Sequence, residues 1–310
     1  MLARYFVRRL LAAVSVLWLA VTLAFVALQL TPGDPAQALL AASGATPEEI
    51  AQRRAHLGLD DPALIQYLRY VLDLARGDLG QSWLQGRPVG QMIREQLPPT
   101  LALAIAAAGV GATLGLILGV VAAVHRSTWI DTMATTVAVV GLATPTYWSG
   151  LLAILLFSLA LHWLPSAGEG DLRHLILPAS VLGFALSGSV ARVVRARVAQ
   201  VLRAPFILVA EAKGLPPRHV LMSHVLRASL GPALAVLALQ FGFLLSGAVV
   251  TESVFARRGL GTLTVQAILW RDLPVVRGIM VVAALAFVLT SLAADLARGW
   301  LDPRLREGPA

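Results

Sequence analysis

The chain has 310 residues, of which 57% are hydrophobic and 14% charged, and its mean hydropathy is +0.76. Soluble chains carry about 25% charged residues, so this composition excludes a water-soluble protein and predicts a membrane protein. The net charge is +8, with Lys213 as the only lysine. Gly214 follows Lys213 where a P-loop needs Ser or Thr, which excludes that mode of ATP binding. The absence of cysteine excludes disulfides and thiolate chemistry.

The six histidines form no HExxH pair, and no serine lies in a GxSxG turn. His219 and His224, which are five residues apart, are interpreted as ordinary polar side chains and not as metal ligands. No cofactor is expected. An intramembrane enzyme would need a buried nucleophile with a base, and no predicted span pairs a serine with a suitable histidine or aspartate.

Six stretches lack Asp, Glu, Lys and Arg, and each is long enough for a helix to cross the bilayer: 10–33, 96–124, 132–168, 174–191, 228–251 and 278–294. The first follows three arginines, but its apolar core is longer than the roughly 7 to 15 residues of a cleaved signal, so it is predicted to remain as an anchor. The stretch 132–168 is predicted to form one helix over 133–162, bent near Gly141 and Pro145.

The loop 31–95 is long enough to have its own helices. Thr46, Pro47 and Glu49 predict a capped helix start, and Gly58 its end. A second helix is predicted to begin after Pro62 and to end near Gly77. The loop is either a helical cap over the bundle or a docking surface for an external partner.

Charge placement predicts the orientation. With a cytoplasmic N-terminus, the inner segments carry a net +9 and the outer segments −1. Both termini are therefore expected in the cytoplasm. The positive charge is attributed to topology and to attraction by anionic membrane lipid, and nucleic acid is not expected as a partner.

The loop 192–227 holds seven basic residues and one acid, Glu211. A helix is predicted over 204–214, followed by a break at Gly214, Pro216 and Pro217 and a second helix from Arg218 into the fifth span. The loop either only follows the positive-inside rule, or its first helix inserts into a groove on a cytoplasmic protein.

Glycines recur every fourth residue at Gly111, Gly115 and Gly119, which favours close packing of two helices over a transport role. No carboxylate or lysine lies within a predicted span, so proton-coupled or sodium-coupled carriers are disfavoured. An ion channel would need charged or carbonyl-lined filter segments.

A set of short motifs runs in order along nearly the whole chain: Leu30 to Pro35, Leu57-Gly58-Leu59, Gln66-Tyr67, Gly77 to Gly80 with Ser82, Gly86 to Val89, Leu97-Pro98, Thr100-Leu101, Pro145, Trp148, Leu177-Pro178, Ala210, Ala212 to Leu215, Glu252, Val254-Phe255, Gly259 to Gly261, Asp272, Pro274-Val275 and Leu301 to Arg304. By this ordered set the chain resembles the inner-membrane permeases of ATP-binding-cassette (ABC) importers for dipeptides, oligopeptides and nickel, specifically the "B" type subunit.

The resemblance implies an all-α polytopic bundle of six transmembrane helices with the type I ABC importer permease fold. It divides into 1–30 (N-terminus and first helix), 31–96 (periplasmic helical loop), 97–300 (permease domain) and 301–310 (cytoplasmic tail). The later spans are placed at about 98–124, 133–162, 174–194, 228–251 and 278–297, with a coupling loop at 195–227.

The resemblance also implies that this loop carries the family's "EAA" motif, which couples the permease to an ATPase. The coupling residues are expected to be Ala210, Glu211, Ala212, Lys213, Gly214 and Leu215. The general motif has a glutamate six residues before the glycine, where this chain has Leu208. On the fifth span, Gln240, Ser246 and Thr251 either line the translocation path or make helix-to-helix hydrogen bonds.

Expected partners are a "C" type permease, two cytoplasmic ATP-binding subunits that hydrolyse ATP, and a periplasmic or lipid-anchored substrate-binding protein. The chain itself is not expected to be an enzyme. Dipeptides or oligopeptides are the expected substrates, with nickel chelates, glutathione or a sugar as alternatives. A secondary peptide carrier is the remaining rival.

Overall fold

The computed structural model describes residues 2–30, 33, 34, 36, 37 and 46–301, without the side chains of 2–10, 245–247 and 294–301. Within these ranges it is helical, with one isolated bridge between Gln81 and Pro88 and no strand. The predicted all-α fold is confirmed. The helices are α1 (Leu2–Gln29), α2 (Pro47–His56), α3 (Ala63–Ala75), α4 (Val89–Val124), α5 (Trp129–Ala143), α6 (Thr146–Ala153), α7 (Arg173–Val201), α8 (Pro205–Ala212), α9 (Arg227–Val254), α10 (Leu260–Leu269) and α11 (Leu273–Leu301).

Five segments are long and apolar enough to cross a membrane, and they lie in α1, α4, α7, the run Pro217–Leu244 that enters α9, and α11. Together, α5 and α6 are also long and apolar enough to cross a membrane, but they meet at an angle of 105°. The π-helical segment Ile154–Ala160 extends α6. The predicted bend at Pro145 is therefore a complete break. Thr144 precedes that proline and is extended, at φ −81° and ψ 127°, because proline disfavours the helical region for its predecessor.

The predicted helices of the first loop are present. The Thr46 side chain accepts from the Glu49 backbone N–H, and the Glu49 carboxylate accepts from the Thr46 N–H at 2.7 Å, which is the reciprocal pair of a capping box. Helix α2 ends at His56, before Gly58, and α3 ends at Ala75, before Gly77. Both boundaries confirm the sequence prediction.

Salt bridges fix the chain on either side of α2. The Arg54 guanidinium lies 2.7 Å from Asp34 and 2.9 Å from Asp60. Burial acts to raise the pKa of Asp34, but the hydrogen bonds from Arg54 and from the Ala36 N–H outweigh it and hold that pKa below its usual value.

A buried carboxylate organises the turn at 82–85. Asp272, 3% exposed, accepts from the Ser82 hydroxyl and, at 3.0 Å, from the Trp83 N–H. The Ser82 oxygen in turn accepts from the Gln85 N–H at 2.9 Å. Residues 190 positions apart are thereby joined in one network of hydrogen bonds.

The chain forms two compact units, one of residues 3–99 with 258–288 and one of residues 100–257 with the end of α11. The first unit has an apolar core around Val89, Ile93, Val275 and Val276. The second has a larger core in which α7 supplies Leu186, Val190, Val194 and Val198. Helix α7 contacts α5, α6 and α9.

The glycine column of α4 packs against α7. A Cβ added at Gly111, Gly115 or Gly119 would lie 2.6 to 2.7 Å from a side-chain carbon of its partner, in order Leu186, Val190 and Val194. Since such distances are shorter than van der Waals contact, only glycine lets the two helices approach this closely. The packing interpretation of the glycine spacing is confirmed.

Candidate functional site

Helix α8 forms where the sequence predicted the coupling helix. Ala204, its N-cap, is extended, and Pro205 occupies the first helical position, where the missing N–H costs no hydrogen bond. The helix ends in a Schellman motif: the Gly214 N–H donates to the Glu211 carbonyl at 2.9 Å, and the Leu215 N–H donates to the Ala210 carbonyl at 3.4 Å. Gly214 adopts φ +75°, which explains the glycine at this position.

The two faces of α8 differ sharply in burial. Ile207 is 1% exposed and Ala210 is 5% exposed, and both belong to the core cluster that contains Val198 and Val225. On the other side Phe206, Leu208 and Val209 are 48 to 64% exposed. One apolar face therefore anchors the helix to the unit that contains α7, and the other is exposed.

The predicted coupling residues divide between these faces. Ala210 is buried and Leu215 is half-buried against the same core, whereas Glu211, Ala212, Lys213 and Gly214 are exposed. A Cβ at Gly214 would meet no atom within 4 Å. A partner could therefore approach the backbone of the turn directly. After the break, the turn Pro217–His219 and the π-helical Val220–Leu226 lead into α9.

The three residues proposed for the translocation path do not form one site. Gln240 is half-buried and Thr251 is 2% exposed. Eleven residues separate them, which is about 16 Å along a helix. The side chain of Ser246 lies outside the described part of the chain. A role for these residues in the path stays a prediction.

Two buried carboxylates lie just outside the predicted spans. Glu252 lies in α9 and is fully buried, and its Oε1 accepts from the Thr100 hydroxyl at 2.6 Å. Asp131 lies in α5 and forms a bidentate pair with Arg195 of α7, with both distances 2.8 Å. Both residues lie where α5 and α9 extend beyond the charge-free stretches that defined the predicted spans.

The sequence interpretation missed the pairing of these groups. Glu252 and Thr100 were both among the matching motif residues, but nothing in a single sequence pairs positions 152 apart. Asp131 and Arg195 were counted only as charges of cytoplasmic segments. Their bidentate geometry is the strong form of a charged hydrogen bond.

The His219 and His224 rings are 5.9 Å apart in a T-shaped contact. Among the residues that the structure describes, no group of three His, Cys, Asp or Glu side chains is arranged to hold a metal ion.

Two family models match the chain. Residues 115–307 match the "binding-protein-dependent transport system inner membrane component" model, and residues 1–104 match its N-terminal counterpart. A Brucella melitensis protein provisionally named a peptide transport system permease is 40% identical, with 99% of each chain covered. The glutathione transport system permease protein GsiC of Salmonella paratyphi A is 36% identical over 97% of this chain and 98% of its own.

Among solved structures, the inward-facing MetNI methionine ABC transporter has a chain that matches with a TM-score of 0.58 and 16% identity, covering 68% of this chain and 97% of its own. The fold is therefore that of an ABC importer permease. Together, fold and sequence define an inner-membrane permease subunit of an ABC importer, a multi-pass transport component. The chain belongs to the family of binding-protein-dependent transport system inner membrane components.

Proposed function

We propose that the chain forms half of the translocation pathway of an ATP-driven importer and that α8 transmits the movement of an ATP-binding subunit. The second half is a "C" type permease, and two cytoplasmic subunits hydrolyse ATP. A substrate-binding protein, periplasmic or lipid-anchored, delivers the ligand. The chain itself catalyses no bond chemistry, in keeping with the absence of a P-loop sequence.

This proposal rests on the difference in burial between the two faces of α8. Leu208 is 64% exposed beside the turn that holds Lys213, and an exposed apolar side chain on a helix suits a hydrophobic groove on a partner. The buried side, through Ile207, connects the helix to the core that contains α7. A force applied to the exposed face is therefore delivered to packed helices and not lost in a loose loop.

Di- or oligopeptides are the proposed substrates. The names of the two relatives refer to peptide and glutathione transport, and glutathione is itself a small peptide. Nickel chelates or a sugar are the alternatives, because the binding protein selects the ligand. Uptake that follows an ion gradient and not ATP would support a secondary carrier instead.

Gly214→Val tests the coupling role. Gly77 provides a matched control, because it also ends a helix in a Schellman motif, at φ +79°, and also has no atom within 4 Å of an added Cβ. Both substitutions strain the backbone by about 1 to 2 kcal/mol. In the purified complex in lipid, Gly214→Val is expected to separate ATPase activity from uptake, whereas Gly77→Val keeps the two in proportion. Unchanged uptake with Gly214→Val contradicts the proposal.

We also propose that both termini are cytoplasmic. The charge asymmetry of the loops supports this orientation. Because the chain has no cysteine, single cysteines at the exposed positions Gln85 and Ser223 report the side specifically. An impermeant maleimide should label Gln85→Cys from outside and Ser223→Cys from inside. Labelling of both from the same side would refute the topology.

A further inference from the structure

A cavity of about 400 Å³ lies between the end of α4 and the end of α7. Alanine methyl groups, from Ala123 and Ala199 among others, line part of it. Arg126, Arg195 and Arg203 supply its charge. Neither the coupling role nor the translocation path accounts for three arginines converging on one small cavity.

The charges at this cavity are unequally compensated. Arg195 is neutralised by its bidentate pair with Asp131. Arg126 and Arg203 are exposed, and within the described ranges neither is paired with a carboxylate. The cavity therefore carries about two uncompensated positive charges, and its planar guanidinium groups suit the paired oxygens of a phosphate.

A second cavity, of about 380 Å³, also has Arg195 in its wall and follows α5. Its lining begins with Asp131 and Thr132 and ends with Val139 and Val140. Polarity thus falls along the helix in the direction that leads into the membrane under the proposed orientation. Trp129, 75% exposed at the start of α5, is the residue type that marks the membrane–water interface.

We propose that the arginine-lined cavity binds the phosphate headgroup of an anionic phospholipid of the inner leaflet, with the rest of the lipid following the second cavity. Charge selects the headgroup, since basic pockets between transmembrane helices on the cytoplasmic side bind such lipids. The falling polarity along α5 distinguishes a lipid from a free phosphate, which would use only the first cavity. The proposal rests on the proposed orientation but not on the coupling role.

Ala196→Cys serves as a reporter, because Ala196 is exposed and lines the cavity. The complete complex would be placed in nanodiscs of phosphatidylcholine with or without phosphatidylglycerol and treated with a maleimide. Both faces of a nanodisc are accessible, so an error in orientation does not affect the result. Phosphatidylglycerol is expected to slow labelling, and native mass spectrometry should detect the retained lipid.

The double variant Arg126→Gln, Arg203→Gln is expected to weaken phosphatidylglycerol binding about 30-fold, from the loss of two surface arginines. Arg192→Gln with Arg218→Gln removes the same charge from two exposed arginines that do not line the cavity, and it should change binding little. Lysine at positions 126 and 203 should restore most of the binding, which shows that the glutamine variant is not merely misfolded.

Three results would overturn the proposal. Equal labelling with and without phosphatidylglycerol would mean that no anionic lipid occupies the cavity. Slowing by inorganic phosphate in phosphatidylcholine discs would assign it to a soluble anion. Slowing that requires the ATP-binding subunits, whatever the lipid, would show that a protein surface covers it.

Discussion

The first-loop segment (residues 46–88) and the coupling segment (residues 204–226) are both loops between spans, but different forces hold them. Carboxylates fix the first-loop segment. Asp34 and Asp60 form salt bridges with Arg54, and Asp272 accepts a hydrogen bond from Ser82 in the turn. The coupling segment is fixed by apolar burial at Ile207 and by one glycine turn.

The two segments differ in how they are anchored and not in how much apolar surface they expose, because α3 of the first-loop segment also exposes Leu64, Leu68 and Leu72. In the first-loop segment, Arg54 and Ser82 find carboxylate partners within the same unit, so directional bonds hold these two points in place. The coupling segment buries one apolar face and leaves the other to solvent. The partner contact proposed for this exposed face therefore rests on a helix whose other face is packed into the core.

The largest expected effect is at the buried anchor of the coupling segment. Ile207→Ala should lower the free energy of unfolding by about 2 to 4 kcal/mol, because it opens a cavity beneath α8. Leu208→Ala, its exposed neighbour, should change stability by less than about 0.5 kcal/mol and reduce coupled uptake instead. Thermal unfolding of the complex together with an uptake assay separates the two. Equal destabilisation by both variants would remove the distinction between the faces.

The next effect is at the carboxylate that organises the first-loop turn. Asp272→Ala leaves the Ser82 hydroxyl and the Trp83 N–H without their acceptor, at a cost of about 2 to 3 kcal/mol. Asp73→Ala is the control, because that carboxylate is 43% exposed and lies 3.9 Å from Arg76. Limited proteolysis within 82–85 should accelerate only in the first variant. Unchanged cleavage would show that the turn does not depend on Asp272.

A smaller effect is expected at the cap of α2. Thr46→Ala removes the side-chain acceptor of the capping box and should cost about 1 kcal/mol of local stability. Thr46→Ser keeps that acceptor and should retain most of it. Amide exchange over Pro47–His56 measures the difference. Alanine and serine variants with the same exchange rates would mean that the capping box contributes nothing.

The smallest effect concerns pH. The pKa of Asp34 is lowered from its usual 3.8 by Arg54, so the ionised carboxylate favours the folded segment. This contribution is present above pH 3.8 and is lost as the pH falls through the lowered value. Pepsin cleavage near α2 should therefore rise below about pH 3.8 beyond the rise in Asp34→Asn. The same acid dependence in both proteins would contradict it.

Local chemistry made part of the fold predictable. Thr46, Pro47 and Glu49 determine a helix start through bonds between neighbours, and Gly214 ends α8 for the same reason. The pairs Ser82–Asp272 and Asp131–Arg195 join distant positions, which one sequence does not relate. The break at Pro145 lay between these cases: its place was predictable, but its 105° angle was not.

At the candidate site, the helix and its turn were predicted, but the face that is buried was not. Ile207 and Leu208 are adjacent and equally apolar, so composition alone gives no reason to bury one and expose the other. That choice is made by the core to which Val198 and Val225 contribute. Tertiary packing, and not propensity, therefore defines the surface offered to a partner.

The interlock of α4 with α7 limits how this unit can change shape. Three glycines spaced by four residues face Leu186, Val190 and Val194, which have the same spacing. Any smaller slide would press a side chain into backbone, so the next matching register lies a full four residues away, about 6 Å. During a transport cycle α4 and α7 must consequently move together as one rigid body, and any bending must occur in other parts of the chain.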